Sequence, residues 1–249
     1  MFTDFDLTAL AIIPGVLLIW YIYKKDKVEK EPIGLIIRLV ALGVLSCIVV
    51  GPLEMVVEYN LPYYSEGSVE YALQTSFLVA AFCEEIVKFL ALRLGSWKDP
   101  SFNYRFDGIV YGVSAAVGFA VWENIMYVYY YGFYTAVVRA FTAVPLHAFC
   151  GAFMGVFYAH AKQQSILGNK SGFIKNTILA LVVPMIVHGI YDTFAFLPGS
   201  IPSAMLMGFV VILYIIAIKT INANAAADYR AGFYSRPCSI DIDLDRMER

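Results

Sequence analysis

The stretch Ser76-Phe-Leu-Val-Ala-Ala-Phe-Cys-Glu-Glu-Ile-Val-Lys-Phe-Leu-Ala-Leu92 places two carboxylates, Glu84 and Glu85, side by side within an apolar run long enough to cross a bilayer. Lys88 follows one helical turn further on. A charged side chain near the centre of a bilayer costs about 3 kcal/mol on insertion scales. Chains keep such residues where they face a protein interior or water, so this stretch predicts a functional site inside a membrane protein.

The overall composition also indicates a membrane protein. The chain has 249 residues, of which 60% are apolar, and a mean hydropathy of +0.67, whereas soluble domains are only about 45–50% apolar. Apolar runs of roughly 20 residues can cross the hydrocarbon core, and we assign seven spans, at residues 7–23, 33–56, 71–94, 108–130, 135–161, 177–196 and 204–221. We therefore expect an all-α, polytopic helical bundle, multi-pass in the cell membrane. No basic block suggests a nucleic-acid partner.

The basic residues predict how the helices are oriented. They cluster in alternate connections, at Lys24, Lys25, Lys27, Lys30, Arg93, Lys98, Arg105, Lys162, Lys170, Lys175 and Lys219. The other connections carry none. Arg93 and Lys219 lie at the inner ends of their predicted spans, and Arg38, Lys88 and Arg139 are the other basic residues inside spans. Because Lys and Arg accumulate on the cytoplasmic side, we expect the N-terminus outside and the C-terminus inside. Residues 1–222 then form one integral-membrane domain, followed by a polar cytoplasmic tail over residues 223–249.

Small residues predict close helix packing. On the fourth predicted helix they recur every four positions, at Gly108, Gly112, Ala116 and Ala120. On the fifth, Gly151 and Gly155 have the same spacing and share a face with His147. This spacing lets helix backbones approach closely in lipid. We therefore expect His147 to face a packed neighbour rather than the lipid.

Ionisable residues form a predicted layer at mid-membrane depth. Glu84, Glu123, His147 and His188 each lie near the midpoint of a different predicted span. Asp192 follows His188 by four residues and shares its helix face. A carboxylate there can accept the imidazole N–H and fix the tautomer of the ring. Four such groups at one depth indicate a site rather than isolated interhelical contacts.

The residue types suggest hydrolytic chemistry with two alternatives for how water is activated. Glu84 and Glu85 point about 100° apart on a helix, so one should face the site while the other pairs with Lys88, which both can reach. In the first alternative a glutamate, Glu84 in preference to Glu85, is the general base, and the histidines stabilise an oxyanion. In the second, Glu123, His147 and His188 hold a zinc ion with one open position.

Other membrane chemistries fit the sequence less well. No His-Glu-x-x-His motif is present, and Gly112-Val-Ser114 is only a faint serine-protease-like triplet. Asp107 begins the fourth predicted helix, where we expect an exposed cap. A proton- or ion-coupled carrier would also place acids and histidines at mid-membrane, but the repeated halves typical of carriers are absent from the sequence. A non-catalytic scaffold that binds a membrane partner is the third alternative.

The ordered motifs resemble the PrsW family of intramembrane proteases. They are Glu84-Glu85-Ile-Val-Lys88, Phe106-Asp107-Gly108-Ile-Val-Tyr111-Gly112, Glu123-Asn124, His147 and His188-Gly-Ile-Tyr-Asp192. This family is distantly related to the CAAX prenyl endopeptidases and the bacteriocin-processing membrane proteases. Asp192 stands where that wider group has asparagine, and an ionised aspartate cannot donate a hydrogen bond to an oxyanion.

The resemblance implies an intramembrane endopeptidase of the glutamic or metallo type. Its implied partner is a single-pass membrane protein, an anti-sigma factor cleaved at site 1 in a stress response. The implied catalytic set is Glu84, Glu85, Glu123, His147, His188 and Asp192, supported by Lys88, Asn124 and Asp107. Zinc is the implied metal if the mechanism is metal-dependent.

Overall fold

The computed structural model describes residues 4–228, which form a bundle of helices. These are α1 (Asp4–Lys25), α2 (Ile33–Tyr59), α3 (Val69–Gln74), a π-helical segment (Thr75–Ala81), α4 (Phe82–Ser96), α5 (Arg105–Tyr131), α6 (Phe133–Phe141), α7 (Ala143–Ile166), α8 (Lys170–Phe196) and α9 (Ser200–Ala227). Within these described residues there is no β-strand. Of the predicted tail, residues 223–227 continue α9, and residues 229–249 lie outside the described part of the chain.

The lengths of these helices confirm a polytopic membrane bundle. Among the described residues, six helical stretches are long and apolar enough to cross a membrane, at Asp6–Lys25, Ile33–Tyr59, Arg105–Tyr131, Phe133–Ile166, Lys170–Phe196 and Ser200–Ala227. The third predicted span corresponds to continuous helical residues 69–96, which hold Glu84, Glu85 and Lys88. α5 and α7 are the most buried elements, and α1, α2, α8 and α9 surround them.

The fifth predicted span is divided at Thr142. α6 ends at Phe141 and α7 begins at Ala143, with Thr142 in a non-helical conformation (φ −121°, ψ −76°). Pro145 gives the physical reason, because it lacks an N–H and its ring collides with the carbonyl four residues earlier, here that of Phe141. The break gives α6 and the Arg139 side chain on it a direction independent of α7.

The predicted small-residue packing is present between α5 and α7. A Cβ added at Gly151 would lie 2.5 Å from the carbonyl oxygen of Gly112, and one added at Gly108 would lie 2.5 Å from that of Gly155. Real carbon atoms do not approach an oxygen so closely, so these positions need glycine. The contact turns His147 towards α5, where it is buried (2% exposed), as predicted.

Candidate active site

Four helices bring the predicted ionisable layer together. α4 supplies Glu84, Glu85 and Lys88, α5 supplies Glu123, α7 supplies His147, and α8 supplies His188 and Asp192. The two imidazole rings meet edge to face, with their centroids 5.0 Å apart. Residues far apart in the chain therefore form one compact polar cluster inside an apolar bundle, which the layer of midpoints predicted.

The ammonium group of Lys88 is at the centre of this cluster. Its Nζ donates to Glu84 Oε2 at 2.9 Å and to Glu85 Oε1 at 2.8 Å, and lies 2.9 Å from His147 Nδ1. An ammonium can only donate, so His147 Nδ1 must accept and the ring proton must be on Nε2. That Nε2 then donates to Glu123 Oε2 at 2.8 Å. Lys88 and Glu123 together fix His147 as a neutral ring with a defined tautomer.

His188 is held between two carboxylates. Its Nδ1 lies 2.9 Å from Glu85 Oε1, and its Nε2 lies 3.1 Å from Asp192 Oδ2. The contact with Asp192 is the one expected from their spacing of four residues. Because both ring nitrogens face carboxylate oxygens, the doubly protonated imidazolium is the form that satisfies every partner. The two histidines thus differ in charge although they touch.

The adjacent glutamates have different surroundings. Glu85 is completely buried, its Oε1 is shared by Lys88 and His188, and its Oε2 has no hydrogen-bond donor among the described residues. Glu84 is 7% exposed and its Oε2 lies 3.9 Å from His188 Nε2 and 4.0 Å from His147 Nδ1. Glu84 is therefore the carboxylate that faces open space, while Glu85 joins α4 to α8.

A cleft of about 840 Å³ leads to Glu84. It lies between α2, the π-helical segment and α5, and Glu54, Glu84 and Glu123 are its innermost carboxylates. Met55 and Met126, which also line it, are 71% and 56% exposed, so its mouth carries exposed apolar side chains. On the predicted orientation the cleft occupies the outer half of the bundle. We name it the α2–α5 cleft.

Two residues of the site were not identified from the sequence. Arg139 on α6 forms an ion pair with Glu123 (Nη2 to Oε2, 2.8 Å) and donates from Nε to Asn124 Oδ1 at 3.0 Å. Asn124 in turn donates to the carbonyl of Ala11 on α1 at 3.1 Å. Glu54 on α2 lines the α2–α5 cleft. Arg139 and Glu54 are both charged residues inside predicted spans, and this feature of the sequence could have identified them.

Asp107 and Ser114 lie away from this cluster. Asp107 caps α5, because its Oδ2 accepts from the backbone N–H groups of Asn103 and Tyr104. The cap is buried (1% exposed) rather than exposed as predicted, since the α1–α2 connection covers it. In that connection, burial raises the pKa of Asp26 to about 6 and the pKa of Glu31 to about 7. Ser114 donates to the Val110 carbonyl of its own helix.

The side chains at the centre of the cluster are of the types that bind zinc. Glu84, Glu85, His147 and His188 each offer one atom, these atoms all lie within 4.8 Å of one another, and all four residues are buried. Two imidazoles and two carboxylates suit zinc, and Glu85 Oε2 is a buried oxygen that needs a partner. The ammonium of Lys88 lies among three of these residues, so a metal ion there requires Lys88 to move aside.

Comparisons with known proteins identify the family of the chain. Residues 31–219 match the family described as PrsW family intramembrane metalloprotease. Protease PrsW of Bacillus subtilis (strain 168) is 35% identical over 188 residues, covering 76% of this chain and 82% of that protein. Protease PrsW of Oceanobacillus iheyensis is 34% identical over 222 residues, covering 88% of this chain and 97% of that protein. No solved structure matches the chain.

The match extends over most of the described helices and includes every element that contributes to the cluster. It confirms the resemblance seen in the sequence motifs and supports the protease over the carrier and scaffold alternatives. The chain therefore belongs to the PrsW family of intramembrane proteases and is a multi-pass membrane enzyme.

Proposed function

We propose that the protein cleaves a single-pass membrane protein, with Glu84 as the general base that activates water. The observation that carries this assignment is the position of Glu84 on the wall of the α2–α5 cleft, while Glu85 is completely buried beside it. A base must reach the water that it deprotonates and the substrate that the water attacks. Of the two adjacent carboxylates, only Glu84 meets that requirement.

The neighbouring groups have complementary roles in this proposal. The Glu84 oxygen takes a proton from water as the water oxygen attacks the peptide carbonyl, and the same proton passes to the leaving amine. The His188 imidazolium, 3.9 Å from Glu84 Oε2, can donate to the negative charge that forms on the carbonyl oxygen. Asp192 and Glu85 position His188, while Glu123, supported by Arg139 and Asn124, positions His147.

Zinc is compatible with the same residues. Glu84, Glu85, His147 and His188 would hold it, and it would supply Lewis-acid activation of water and of the peptide carbonyl. Lys88 would then swing away from the carboxylates, and the ring proton of His188 that faces the metal would be released, since only a neutral imidazole binds a metal ion.

The shape of the cleft supports a transmembrane substrate. Its mouth, between α2 and α5, carries exposed apolar side chains, so in this proposal a single helix approaches it from the lipid without leaving the membrane. A helical peptide has its backbone hydrogen bonds satisfied internally, so local unwinding within the cleft must precede attack. Because the cleft occupies the predicted outer half, cleavage there would release the outer part of the substrate first. This order fits the site-1 cleavage of an anti-sigma factor that the family resemblance implies.

The test uses the purified chain in detergent with tagged single-pass substrates, an anti-sigma factor among them. Glu84→Gln should abolish cleavage while preserving the fold. Ala80→Trp should fill the α2–α5 cleft, which Ala80 lines, and block cleavage, whereas Ala204→Trp on the exposed surface of α9 should not. Equal activity of Ala80→Trp and Ala204→Trp would refute this cleft as the substrate path. Cleavage of other single-pass proteins but not of anti-sigma factors would refute only the named substrate class.

A further inference from the structure

A second cluster of carboxylates lies at the opposite end of α5 from Glu123. Asp26 and Glu31 come from the α1–α2 connection, and Asp107 comes from the first turn of α5. One oxygen from each of the three lies within 4.8 Å of the other two. The residues are 2%, 2% and 1% exposed, respectively. Three acidic side chains thus converge in a place that water does not reach.

No basic side chain of the described residues forms an ion pair with this cluster. Among described residues 4–228, no Lys or Arg nitrogen lies within 4.0 Å of a carboxylate oxygen of Asp26, Glu31 or Asp107. Lys30 is the nearest in sequence, but its ammonium donates to the backbone carbonyls of Tyr23 and Asp26. Burying unpaired like charges together is strongly unfavourable, so these carboxyl groups must hold either protons or a bound cation.

Two oxygens of the cluster also have no hydrogen-bond donor. Asp107 directs Oδ2 to backbone N–H groups, which leaves its Oδ1 without a partner, and Asp26 Oδ2 has none either. Glu31 accepts from the Tyr111 hydroxyl and also contacts the Asp107 carboxyl group. Buried polar atoms in native proteins are nearly always satisfied. Unpartnered, buried oxygens within a group of converging carboxylates are what a cation-binding site presents.

We propose that Asp26, Glu31 and Asp107 hold a divalent cation of the hard, oxygen-binding class, with Ca²⁺ preferred over Mg²⁺. All three donors are oxygens, with no His or Cys among them, which suits these ions rather than zinc. Mg²⁺ usually keeps several of its waters, whereas Ca²⁺ can be bound largely by protein oxygens. Because the three residues are at most 2% exposed, the site favours Ca²⁺. Backbone carbonyls of the α1–α2 connection would complete the coordination.

This cation joins the α1–α2 connection to the first turn of α5. α5 is the central helix of the bundle and carries Glu123 near its far end. The cation therefore stabilises the frame on which the active site is built, without touching a catalytic group. The proposal is independent of the protease chemistry and concerns a different metal from the zinc considered for the active site.

The test measures ion binding to the full chain purified in detergent, after treatment with a chelator. Ca²⁺ and Mg²⁺ are added separately and the midpoint of thermal unfolding is recorded. A direct second readout is luminescence of Tb³⁺, which replaces Ca²⁺ and is excited through a nearby tyrosine, here Tyr111. Ca²⁺ at a hundredfold excess over its Kd should raise the midpoint by roughly 5–10 °C, with a smaller effect of Mg²⁺, and should displace Tb³⁺.

Two variants and one control test whether Ca²⁺ binds at this cluster. Glu31→Gln and Asp26→Asn keep the hydrogen-bonding shape of their side chains but remove one charge each, and both should lose the Ca²⁺ shift and the Tb³⁺ signal. Glu29→Gln is the matched control, since it removes a charge from an exposed residue of the same connection, and it should behave like the native chain. No Ca²⁺ shift in the native chain would overturn the proposal. An equal shift in Glu31→Gln and Asp26→Asn would overturn it as well.

Discussion

Lys88 Nζ on α4 lies 2.9 Å from His147 Nδ1 on α7, so one lysine determines which nitrogen of that histidine carries the proton. The same ammonium forms ion pairs with both Glu84 and Glu85. It therefore has the position and the charge of a bound cation. A metal ion and the Lys88 ammonium cannot occupy this point together, which makes Lys88 the residue that best separates the two proposed mechanisms.

Lys88→Met removes this ammonium while keeping a side chain of similar length. In metal-free protein we expect a loss of about 3–5 kcal/mol in stability, because two buried carboxylates lose their counter-charge. Zinc should restore more stability to Lys88→Met than to the native chain, as it no longer competes with the lysine. Thermal unfolding with and without zinc measures both effects. A native chain that gains as much from zinc as the variant would contradict the mutual exclusion.

Glu84→Gln and Glu85→Gln should separate catalysis from stability. Glu84 faces the cleft, so its substitution should abolish cleavage at a cost of at most about 1 kcal/mol in stability. Glu85 is buried between Lys88 and His188, so its substitution should lower stability by about 3 kcal/mol as well as reduce cleavage. Cleavage assays and denaturant unfolding of both variants make the comparison. The base assignment is wrong if Glu84→Gln retains native turnover.

Arg139→Gln tests the support that α6 gives to His147. Arg139 and Glu123 are 13% and 18% exposed at their side chains, so this ion pair is largely buried. We expect a loss of about 2–3 kcal/mol in stability and weaker cleavage, since Glu123 no longer holds His147 firmly. Arg38→Gln is the control, because Arg38 is half exposed in its pair with Asp99 and should contribute less than about 1 kcal/mol. Similar losses in both variants would count against the role given to Arg139.

Gly151→Ala tests the contact between α5 and α7. The added methyl group would overlap the Gly112 carbonyl oxygen, so the helices must separate, with an expected loss of about 1–3 kcal/mol. Gly208→Ala on α9 is the control, since a Cβ there meets nothing within 4 Å, and it should stabilise its helix by up to about 1 kcal/mol. Unfolding midpoints of the two variants should move in opposite directions. A neutral Gly151→Ala would mean that the helices pack less tightly than described.

The pH dependence of stability reports on the α1–α2 connection. Burial raises the pKa of Glu31 to about 7 from its ordinary 4.5. The folded chain therefore holds this proton more tightly than the unfolded chain, so this stabilising contribution is complete below about pH 4 and is lost as the pH rises to about 7. In chelator, Glu31→Gln should flatten the decline between pH 5 and 8. An unchanged slope in Glu31→Gln would show that other groups titrate there.

The sequence was sufficient to predict the membrane class, the all-helical bundle and the common depth of the ionisable residues. These follow from hydropathy and from the midpoints of apolar runs. Both depend only on the residues within each segment of the chain. The contact between His188 and Asp192 was predictable for the same reason, because four residues on a helix bring side chains together.

Features that depend on distant segments were not predictable. The pairing of Glu123 with Arg139 requires the break at Thr142, and the central place of Lys88 requires α7 to lie against α4. The burial of Asp107 depends on a connection about 80 residues earlier in the chain. A helical pattern shows which face a residue occupies but not which neighbour covers that face.

The π-helical segment Thr75–Ala81 leads directly into the helix that carries Glu84 and Glu85. A π turn contains about one residue more than an α turn, and each residue turns an α-helix by about 100°. The direction in which both glutamates point around the helix axis therefore depends on the number of residues in the π-helical segment before them. For protein engineering, a one-residue insertion or deletion in this segment is equivalent to re-aiming the active site, even when every catalytic side chain is kept.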